Sequence, residues 1–201
     1  MMATTHALWG MTLALPVLAI APELAPAAFA AGFVGGLAPD LDLYAGHRKT
    51  FHYPIYASIA ALPALALAVV VPSAAPVAIA VALAAAALHA VSDAFGGGLE
   101  LRPWRGTSDQ AVYSHFHDRW LPPRRWVRYD GAPEDLLLAS LAAAPLVAIG
   151  PESVAAGAIA LVAASTVYAA LRKPLAGVAE RLAGSIPASL VPYVPVRYRR
   201  E

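Results

Sequence analysis

The sequence predicts an all-α integral membrane protein: a polytopic transmembrane helical bundle of about six membrane segments in three helical hairpins. Of its 201 residues, 59% are hydrophobic and only 13% are charged, whereas a soluble domain carries about 25% charged residues. The mean hydropathy is +0.60. The apolar segments are rich in Ala, Leu and Val and carry no polar stripe at helical spacing, which is typical of helices that face lipid. By its length the chain forms one compact domain.

The lack of cysteine and the low net charge exclude some classes of function. The chain has no Cys, which excludes disulfides, thiolate metal sites and cysteine nucleophiles. Its net charge is +1, which gives no indication of a nucleic-acid partner, and we expect none. No Lys or Arg precedes the apolar run that begins at Ala7. This run is therefore predicted to stay as a helix and not to be a cleaved signal peptide.

Six apolar segments approach the roughly 20 residues that cross a bilayer as a helix. The first two are short and interrupted by Pro16, Pro22 and Pro26, so they form either a tilted pair or a re-entrant hairpin. Short turns join the third segment to the fourth and the fifth to the sixth. The segments are 6–21, 25–39, 53–72, 76–95, 134–150 and 152–172.

Two polar stretches complete the organisation of the chain. The transmembrane domain covers residues 1–173 and includes a long loop, 96–133, that is rich in Arg, Trp and Tyr; loops of this length are often functional. Residues 174–201 form a cytoplasmic or interfacial tail. Its first half, Pro174 to Ile186, is predicted to be a short interfacial helix, and its end, 192–201, is predicted to be extended or disordered.

The basic residues predict the orientation of the bundle. All fourteen Lys and Arg lie at 48–49, 102–128 and 172–200. The turns on the opposite side carry only Glu23 and Glu152. By the positive-inside rule, both termini and the long loop lie on the cytoplasmic side of the cell (plasma or inner) membrane, and the protein is multi-pass.

Six candidate metal ligands lie where the first four segments reach that same side. Ionisable residues beside membrane segments are costly and usually functional, so six of them together indicate a site. Because the set contains nitrogen and oxygen donors without sulfur, it suits a divalent ion such as Zn, Mn or Mg, or Fe. The predicted ligands are His6, Asp40, Asp42, His52, His89 and Asp93.

The spacing of several of these residues supports metal binding. His89 and Asp93 are four residues apart and share one helix face, which suits two ligands to one metal; the alternative is a simple His–Asp hydrogen bond at a helix end. Asp40 and Asp42 follow the Gly-rich stretch 32–36, whose glycines permit close helix packing. These two carboxylates either face one cation or form a solvated acidic loop. His6 is either a ligand or an ordinary interfacial histidine.

The stretch from His47 to His52 combines two imidazoles with a cation. His52 is favoured as a ligand because it lies at a helix start. His47 is favoured as a proton-transfer or supporting group, and Asp42 or His47 would accept a proton in catalysis. Arg48 suits bidentate binding of phosphate or carboxylate, with lipid head groups as the alternative partner. We therefore take Asp42, His47 and Arg48 as the candidate catalytic residues.

The long loop carries the remaining histidines and most of the tryptophans. His115 and His117 form a His-x-His pair that either chelates a metal or, as we favour, belongs to a polar surface loop. Three Trp and three Arg in the loop predict an aromatic and basic belt on anionic membrane lipid. They are Trp104, Trp120, Trp126, Arg119, Arg124 and Arg125.

Together these motifs resemble a known family. The order is a His near the N-terminus, Pro-Asp-x-Asp, His-Arg-x-x-x-His, and His-x-x-x-Asp before Gly. It resembles the LexA-binding, inner-membrane-associated hydrolase family, also called membrane-bound metal-dependent hydrolases, over roughly residues 4–105. The resemblance implies an α-helical membrane protein and a divalent-metal hydrolase. The polar set that it implies is His6, Asp40, Asp42, His47, Arg48, His52, His89 and Asp93.

The chain departs from the family pattern at two positions. Phe51 and Gly96 stand where the family often has Thr, so two hydroxyls that would support the ligands are missing. No Ser is placed as a nucleophile, and His-Glu-x-x-His, the common zinc protease motif, is absent.

Two classes of function follow from the sequence. The first is a metal-dependent hydrolase at the cytoplasmic face, acting on a phosphoester or lipid-derived substrate with water activated by the metal. The second is a non-catalytic metal-binding membrane protein, either a transporter or a regulatory anchor that binds a cytoplasmic protein through 96–133. Ligands at helix ends disfavour a transporter, whose site normally lies near the bilayer midplane. A lipid phosphatase of the acid-phosphatase-like class is also disfavoured, because residues 82–88 lack its Ser-Arg.

Overall fold

The computed structural model describes residues 1–194, which are mostly helical. Short 3-10 helices follow or precede several α-helices, and the two that bear on the site are Ala38–Tyr44 and Asp93–Phe95. The long loop contains two short strands, β1 (Val112–Ser114) and β2 (Arg119–Leu121). The helices are α1 (Ala3–Thr12), α2 (Leu15–Ile20), α3 (Ala25–Leu37), α4 (Tyr56–Val70), α5 (Ala74–Ser92), α6 (Pro133–Ile149) and α7 (Glu152–Ala183).

Each of the six predicted segments contains a helix, but they differ in length. Four helical stretches are long and apolar enough to cross a membrane: Ala3–Ile20, Pro22–Tyr44, Ala74–Phe95 and Glu152–Ala183. Helix α4 has 15 residues and α6 has 17, which is at or below the short end of the range for a spanning helix. The structure therefore supports membrane-length helices in four of the six segments.

The outer surface of the helices is apolar. Ile20 at the end of α2, Val69 on α4 and Leu137 on α6 are 84%, 81% and 58% exposed. Large exposed apolar surfaces mark contact with a membrane or another protein. The surface is consistent with a membrane protein whose helices contact lipid.

Glycines allow α3 to lie directly against α1 and α5, as the sequence predicts. A Cβ added at Gly36 would lie 2.5 Å from the carbonyl oxygen of His6, and one at Gly32 would collide with the backbone of Gly10. A Cβ added at Gly35 would likewise collide with the carbonyl of Ala82 on α5. Backbones can approach this closely only where no side chain separates them.

Helices α6 and α7 close the bundle over α1. The buried carboxylate of Asp135, at the start of α6, accepts hydrogen bonds from the backbone N–H of Met2 at 2.7 Å and the hydroxyl of Thr5 at 2.8 Å. Ser165 on α7 donates to the hydroxyl of Thr4 at 2.7 Å. These contacts fix the N-terminal end of α1 against both helices.

Helix α7 differs from the prediction at its C-terminal end. The sequence predicts a membrane segment ending at 172 and a separate interfacial helix from Pro174 to Ile186. The structure has one 32-residue helix that continues through Pro174 to Ala183. A proline removes only one backbone hydrogen bond and is tolerated where its surroundings compensate, so it does not end this helix. Of the predicted extended end, residues 195–201 lie outside the described part of the chain.

The long loop folds over the segment that carries His47 to His52. Strands β1 and β2 pair antiparallel, with Tyr113 opposite Trp120, and this hairpin was not predicted from the sequence. The backbone N–H of Tyr113 donates to the carbonyl of Arg48 at 2.9 Å. His115 donates from Nε2 to the carbonyl of Lys49 at 2.7 Å. The hairpin therefore holds the site segment from outside.

Candidate metal centre

Four parts of the chain bring three histidines and two aspartates together at one end of the bundle. They are the start of α1, the 3-10 helix after α3, the segment before α4 and the end of α5. Four of the five side chains are buried, with exposures of 3% or less, and the fifth, Asp40, is half-buried. The five residues are His6, Asp40, His52, His89 and Asp93.

His89 is at the centre of this cluster. Its Nδ1 donates to the carbonyl of Gly36 at 2.6 Å, which fixes the tautomer and directs Nε2 to the other members. That nitrogen lies 3.2 Å from His52 Nε2 and 3.5 Å from one carboxylate oxygen each of Asp40 and Asp93. A histidine held through one nitrogen presents the lone pair of the other, as metal-ligating histidines do.

His52 is oriented in the same way by a carboxylate. Its Nδ1 donates to Asp42 Oδ2 at 2.9 Å. Its Nε2 lies 3.3 Å from Asp93 Oδ2. Two histidines thus direct their Nε2 atoms at one point, with an acceptor behind each ring.

His6 completes the histidine set from α1. Its ring stacks on that of His89, with centroids 3.6 Å apart, and its Nδ1 lies 3.3 Å from Ser92 Oγ. His6 Nε2 is buried without a hydrogen bond that meets geometric criteria, and the nearest carboxylate oxygen, Asp93 Oδ1, lies 3.4 Å away. Buried polar atoms are almost always satisfied, so this nitrogen fits a ligand such as a cation that the protein itself does not supply.

The ligand atoms form two overlapping groups. His6, His89 and Asp93 make one, and Asp40, His52 and His89 make the other; within each, the ligand atoms lie within 4.8 Å of one another. The side chains are therefore close enough to hold a metal ion. Since both groups use His89, we regard them as one site.

Asp42 lies behind this site and not in it. Its two oxygens accept hydrogen bonds from His47 Nδ1 at 3.1 Å, His52 Nδ1 at 2.9 Å, and the backbone N–H groups of Arg48 at 3.3 Å and Phe51 at 3.1 Å. With both oxygens occupied, Asp42 orients its neighbours. This placement differs from the ligand and proton-acceptor roles predicted for it.

His47 and Arg48 lie at the edge of the cluster. Arg48 has Nε 3.3 Å from Asp93 Oδ2, and its Nη1 donates to the carbonyl of Gly97 at 2.8 Å. Its backbone has a φ of +59°, a costly conformation for a residue with a side chain that often occurs at functional sites. One ring nitrogen of His47, Nδ1, is hydrogen-bonded to Asp42, and the side chain of His47 is partly exposed.

The carboxylates control the charge of the cluster. Burial lowers the pKa of the His52 imidazole, but its hydrogen bonds to Asp42 and Asp93 outweigh burial and raise that pKa above its ordinary value. A negative potential that favours the imidazolium form also attracts a metal cation to the same point.

The other loop residues lie apart from the cluster. His117 pairs with Ser114 through Nδ1 at 3.0 Å, and His115 binds the carbonyl of Lys49. Trp126 is 73% exposed, whereas Trp104 packs beside Arg172 of α7, and the predicted contact of these residues with lipid stays a prediction. His115 and His117 therefore make contacts that hold the loop, and they are not part of the cluster.

Sequence reasoning missed several supporting groups. Ser92 contacts His6, and the only signal for it is its position next to Asp93. The carbonyl of Gly36 cannot be identified from residue type. Asp135 could have been identified from the sequence, because a carboxylate in the first turn of an apolar helix needs hydrogen-bond partners when it is buried.

Two cavities flank the cluster. One, of about 480 Å³, is lined almost entirely by apolar side chains and reaches His6 and His89. The other, of about 420 Å³, is more polar and reaches Asp40, His47 and Arg48. Small molecules can therefore approach the cluster from two sides.

In comparisons with known proteins, the chain matches no protein-family model, no curated protein and no solved structure.

Proposed function

We propose that this protein is a membrane-embedded, metal-dependent hydrolase with one divalent-ion site at the cytoplasmic face. The observation that supports the proposal is the pair of overlapping groups, His6 with His89 and Asp93 and Asp40 with His52 and His89, in each of which the possible ligand atoms lie within 4.8 Å of one another. Two of the rings are held by acceptors on their other nitrogen. The expected ligands are His6, Asp40, His52, His89 and Asp93.

The donor set indicates the kind of ion. Imidazole with carboxylate and no thiolate suits Zn and Mn, with Fe as a further candidate. An all-oxygen site would be expected for Mg, so the three histidines make Mg less suitable. Such an ion would polarise an ester and lower the pKa of water to near neutrality.

Two neighbouring side chains have roles that do not require contact with the ion. His47 lines the polar cavity and shares a hydrogen bond with Asp42, which orients the imidazole to accept or return a proton. Arg48 offsets the charge of Asp93 and lines the same cavity. We place a phosphoester or lipid-derived substrate there, since a guanidinium favours anionic oxygens.

The membrane arrangement is part of the proposal. We infer six membrane segments in three hairpins, with the cluster, both termini and loop 96–133 on the cytoplasmic side of the plasma or inner membrane. Four membrane-length apolar helical stretches and the distribution of all fourteen basic residues support it. The order of motifs also supports kinship with the LexA-binding, inner-membrane-associated hydrolases.

The first test is metal content together with hydrolysis. Detergent-purified wild type is expected to hold about one equivalent of metal, and the His89→Ala/Asp93→Ala variant none, because the variant loses two ligands that converge. Hydrolysis of a chromogenic phosphoester should require metal and be lost in Asp93→Ala. His117→Ala, a histidine outside the cluster, is the matched control and should keep both properties.

Two results would overturn the proposal. One is the absence of stoichiometric metal in wild-type protein that circular dichroism shows to be helical. The other is hydrolysis that survives both EDTA and Asp93→Ala.

A second candidate function is a metal-binding regulatory anchor without catalysis. The hairpin in loop 96–133 favours it, since Phe116 at the hairpin tip is exposed while the hairpin contacts the site segment. This candidate predicts a full complement of metal with no hydrolysis. It also predicts that Phe116→Ser abolishes binding of a cytoplasmic protein without changing metal content.

A further inference from the structure

The two cavities beside the cluster have opposite character, and this difference indicates how a substrate would lie. The apolar groove reaches the cluster at His6 and His89, and the polar cavity reaches it at Asp40 and Arg48. Any molecule that occupies both must be apolar at one end and polar at the other. Its central bond would then lie at the cluster.

The apolar groove is a gap between α1, α5 and α6. Its volume of about 480 Å³ is within the range of small-molecule sites, roughly 300–1,000 Å³. Apart from the two histidines, few polar side chains reach it, and one of these, Glu134, is paired with Arg128 at 2.7 Å. The apolar lining includes Trp9, Leu88, Phe95, Trp126, Leu137 and Leu138.

The groove is bordered by exposed apolar residues, which contact lipid in the membrane arrangement proposed above. Leu137 and Trp126, both in the lining, are exposed on the outside of the bundle, and Leu88 is partly so. Exposed apolar residues continue along the two helices, at Ile79 on α5 and at Leu141 and Val147 on α6. A hydrocarbon chain can therefore enter the groove from the bilayer without crossing water.

The polar cavity suits a head group and not a second chain. Arg48 and Arg172 contribute positive charge, and Asp40, Glu100 and Asp130 contribute negative charge. Burying a hydrocarbon chain among these groups would leave them without water. One apolar groove beside one polar cavity thus fits an amphiphile with a single chain.

We propose that the substrate is a single-chain lipid phosphoester that enters from the membrane, with its chain in the groove and its phosphate at the cluster. This inference rests on the proposed hydrolase function and deepens it. In the reaction a water oxygen bonds to phosphorus and the bond from phosphorus to the chain oxygen breaks. The proton from water goes to the chain oxygen. The alcohol stays in the groove and inorganic phosphate leaves through the polar cavity.

The chain orients the substrate and adds little affinity. Lipid tails are as apolar as the leucines of the groove, so moving a chain from bilayer to groove has almost no hydrophobic gain. Selective occupancy must come from the phosphate. A chain without a phosphate should therefore show no preference for the groove over other lipid-facing surfaces.

The experiment is photo-crosslinking of metal-loaded protein in phosphatidylcholine nanodiscs. The probe is hexadecyl phosphate with a diazirine at the chain terminus, and the sites are mapped by mass spectrometry. Labelling is expected to concentrate on Trp9, Leu88 and Leu138. Leu137→Trp fills the groove and should reduce that labelling on the order of tenfold by steric exclusion. Leu141→Trp, one turn along α6 and outside the lining, is the matched control and should change nothing.

Three outcomes would overturn the inference. They are labelling spread evenly over lipid-facing residues such as Leu62 and Leu141, groove labelling that survives Leu137→Trp, and equal groove labelling by a hexadecane diazirine without phosphate. Metal content and hydrolysis of a soluble phosphoester are measured on the same samples. If those succeed while the groove is not labelled, only this inference fails; if no metal is held, the hydrolase proposal fails.

Discussion

At the scale of single residues, Asp42 controls the geometry of the candidate metal centre without being part of it. It is fully buried and accepts four hydrogen bonds. Through His52 it fixes which ring nitrogen faces the cluster, and through the backbone of Arg48 and Phe51 it folds the segment between them. A carboxylate behind a ligating histidine is a recurrent way to orient the ring and raise its basicity.

Asp42→Asn should therefore weaken metal binding without removing the site. The amide has one acceptor oxygen where the carboxylate has two, so at least one of the four donors loses its partner. We expect the dissociation constant for zinc to rise by about 10–100-fold, the usual effect of losing such a supporting group. Competition titration with a zinc-binding dye measures it.

The exposed Asp109→Asn is the control for this variant and should bind zinc as the wild type does. Complete loss of zinc from folded Asp42→Asn protein would show that Asp42 is a ligand after all. An unchanged dissociation constant would show that it does not orient His52.

At the scale of elements, the contact of α3 with α1 decides whether the histidines meet. Gly36 lies against the carbonyl of His6, and its own carbonyl accepts the hydrogen bond from His89. One glycine thus sets the spacing of two helices and the orientation of His89, a candidate ligand. The stacked rings of His6 and His89 depend on this close approach.

Gly36→Ala should separate the two helices and damage the metal centre. The added methyl would lie 2.5 Å from a backbone oxygen, which a helix can relieve only by moving. We expect a loss of about 1–3 kcal/mol in stability, typical of overpacking, together with weaker zinc binding. Thermal unfolding in detergent and the zinc titration measure the two effects.

Gly157→Ala on α7 is the matched control, since nothing lies within 4 Å of a Cβ added there. It should be neutral or stabilise the helix by up to about 1 kcal/mol, because alanine is the better helix former. Equal behaviour of the two variants would contradict the role given to Gly36.

Local spacing in the sequence was enough to predict which residues form the cluster. It could not predict the roles of individual residues where those roles depend on tertiary contacts. Four-residue spacing places His89 and Asp93 on one helix face, and the glycines of α3 predict close packing; both features occur in the structure. The sequence could not show that Asp40 and Asp42 have different roles. The 3-10 turn around them determines the direction of each carboxylate, and this turn was not predicted. It also missed the continuation of α7 through Pro174, where tertiary contacts override the local preference.

At the scale of the whole molecule, an ion pair links the long loop to α7. Asp130 accepts hydrogen bonds from Arg172 Nε at 2.8 Å and from its Nη2 at 3.0 Å. Burial opposes ionisation of Asp130, but the bonds and charge of Arg172, with help from Tyr168, lower the pKa of the carboxyl below its ordinary value. The loop that covers the site is thereby anchored on the last helix.

The Asp130–Arg172 pair should give a stability difference that depends on pH. Because the pKa is lowered in the folded state, the pair stabilises the protein above the unfolded pKa of about 3.9 and loses this effect as pH falls through the folded value. Asp130→Asn should cost about 1–3 kcal/mol at pH 7. The gap in Tm between wild type and variant should be constant from pH 7 to 5 and shrink below about pH 4. A gap that grows with acidity would contradict this assignment.

The arrangement across the membrane can be tested directly because the chain has no cysteine. Each single-cysteine variant therefore carries only the introduced thiol, so maleimide labelling reports on that position alone. Ser73→Cys lies in the turn before α5, Ser153→Cys lies in the first turn of α7 beside the connection from α6, and Thr107→Cys lies in the long loop; all three positions are exposed. If basic regions stay inside, a membrane-impermeant maleimide should label the first two variants in intact spheroplasts and the third only after lysis.

The pattern of labelling decides the number of crossings. If the chain crossed the membrane an even number of times, or not at all, between Ser73 and Thr107, both cysteines would lie on the same side of the membrane. Labelling of Ser73→Cys only after lysis would therefore mean that α5 does not cross, whatever its length. Labelling of Ser153→Cys only after lysis would mean the same for α6, which has 17 residues and is not among the four membrane-length stretches. If Ser73→Cys and Ser153→Cys are labelled in intact spheroplasts and Thr107→Cys only after lysis, the candidate metal centre lies on the basic, cytoplasmic side, because the backbone of Arg48 contacts the long loop.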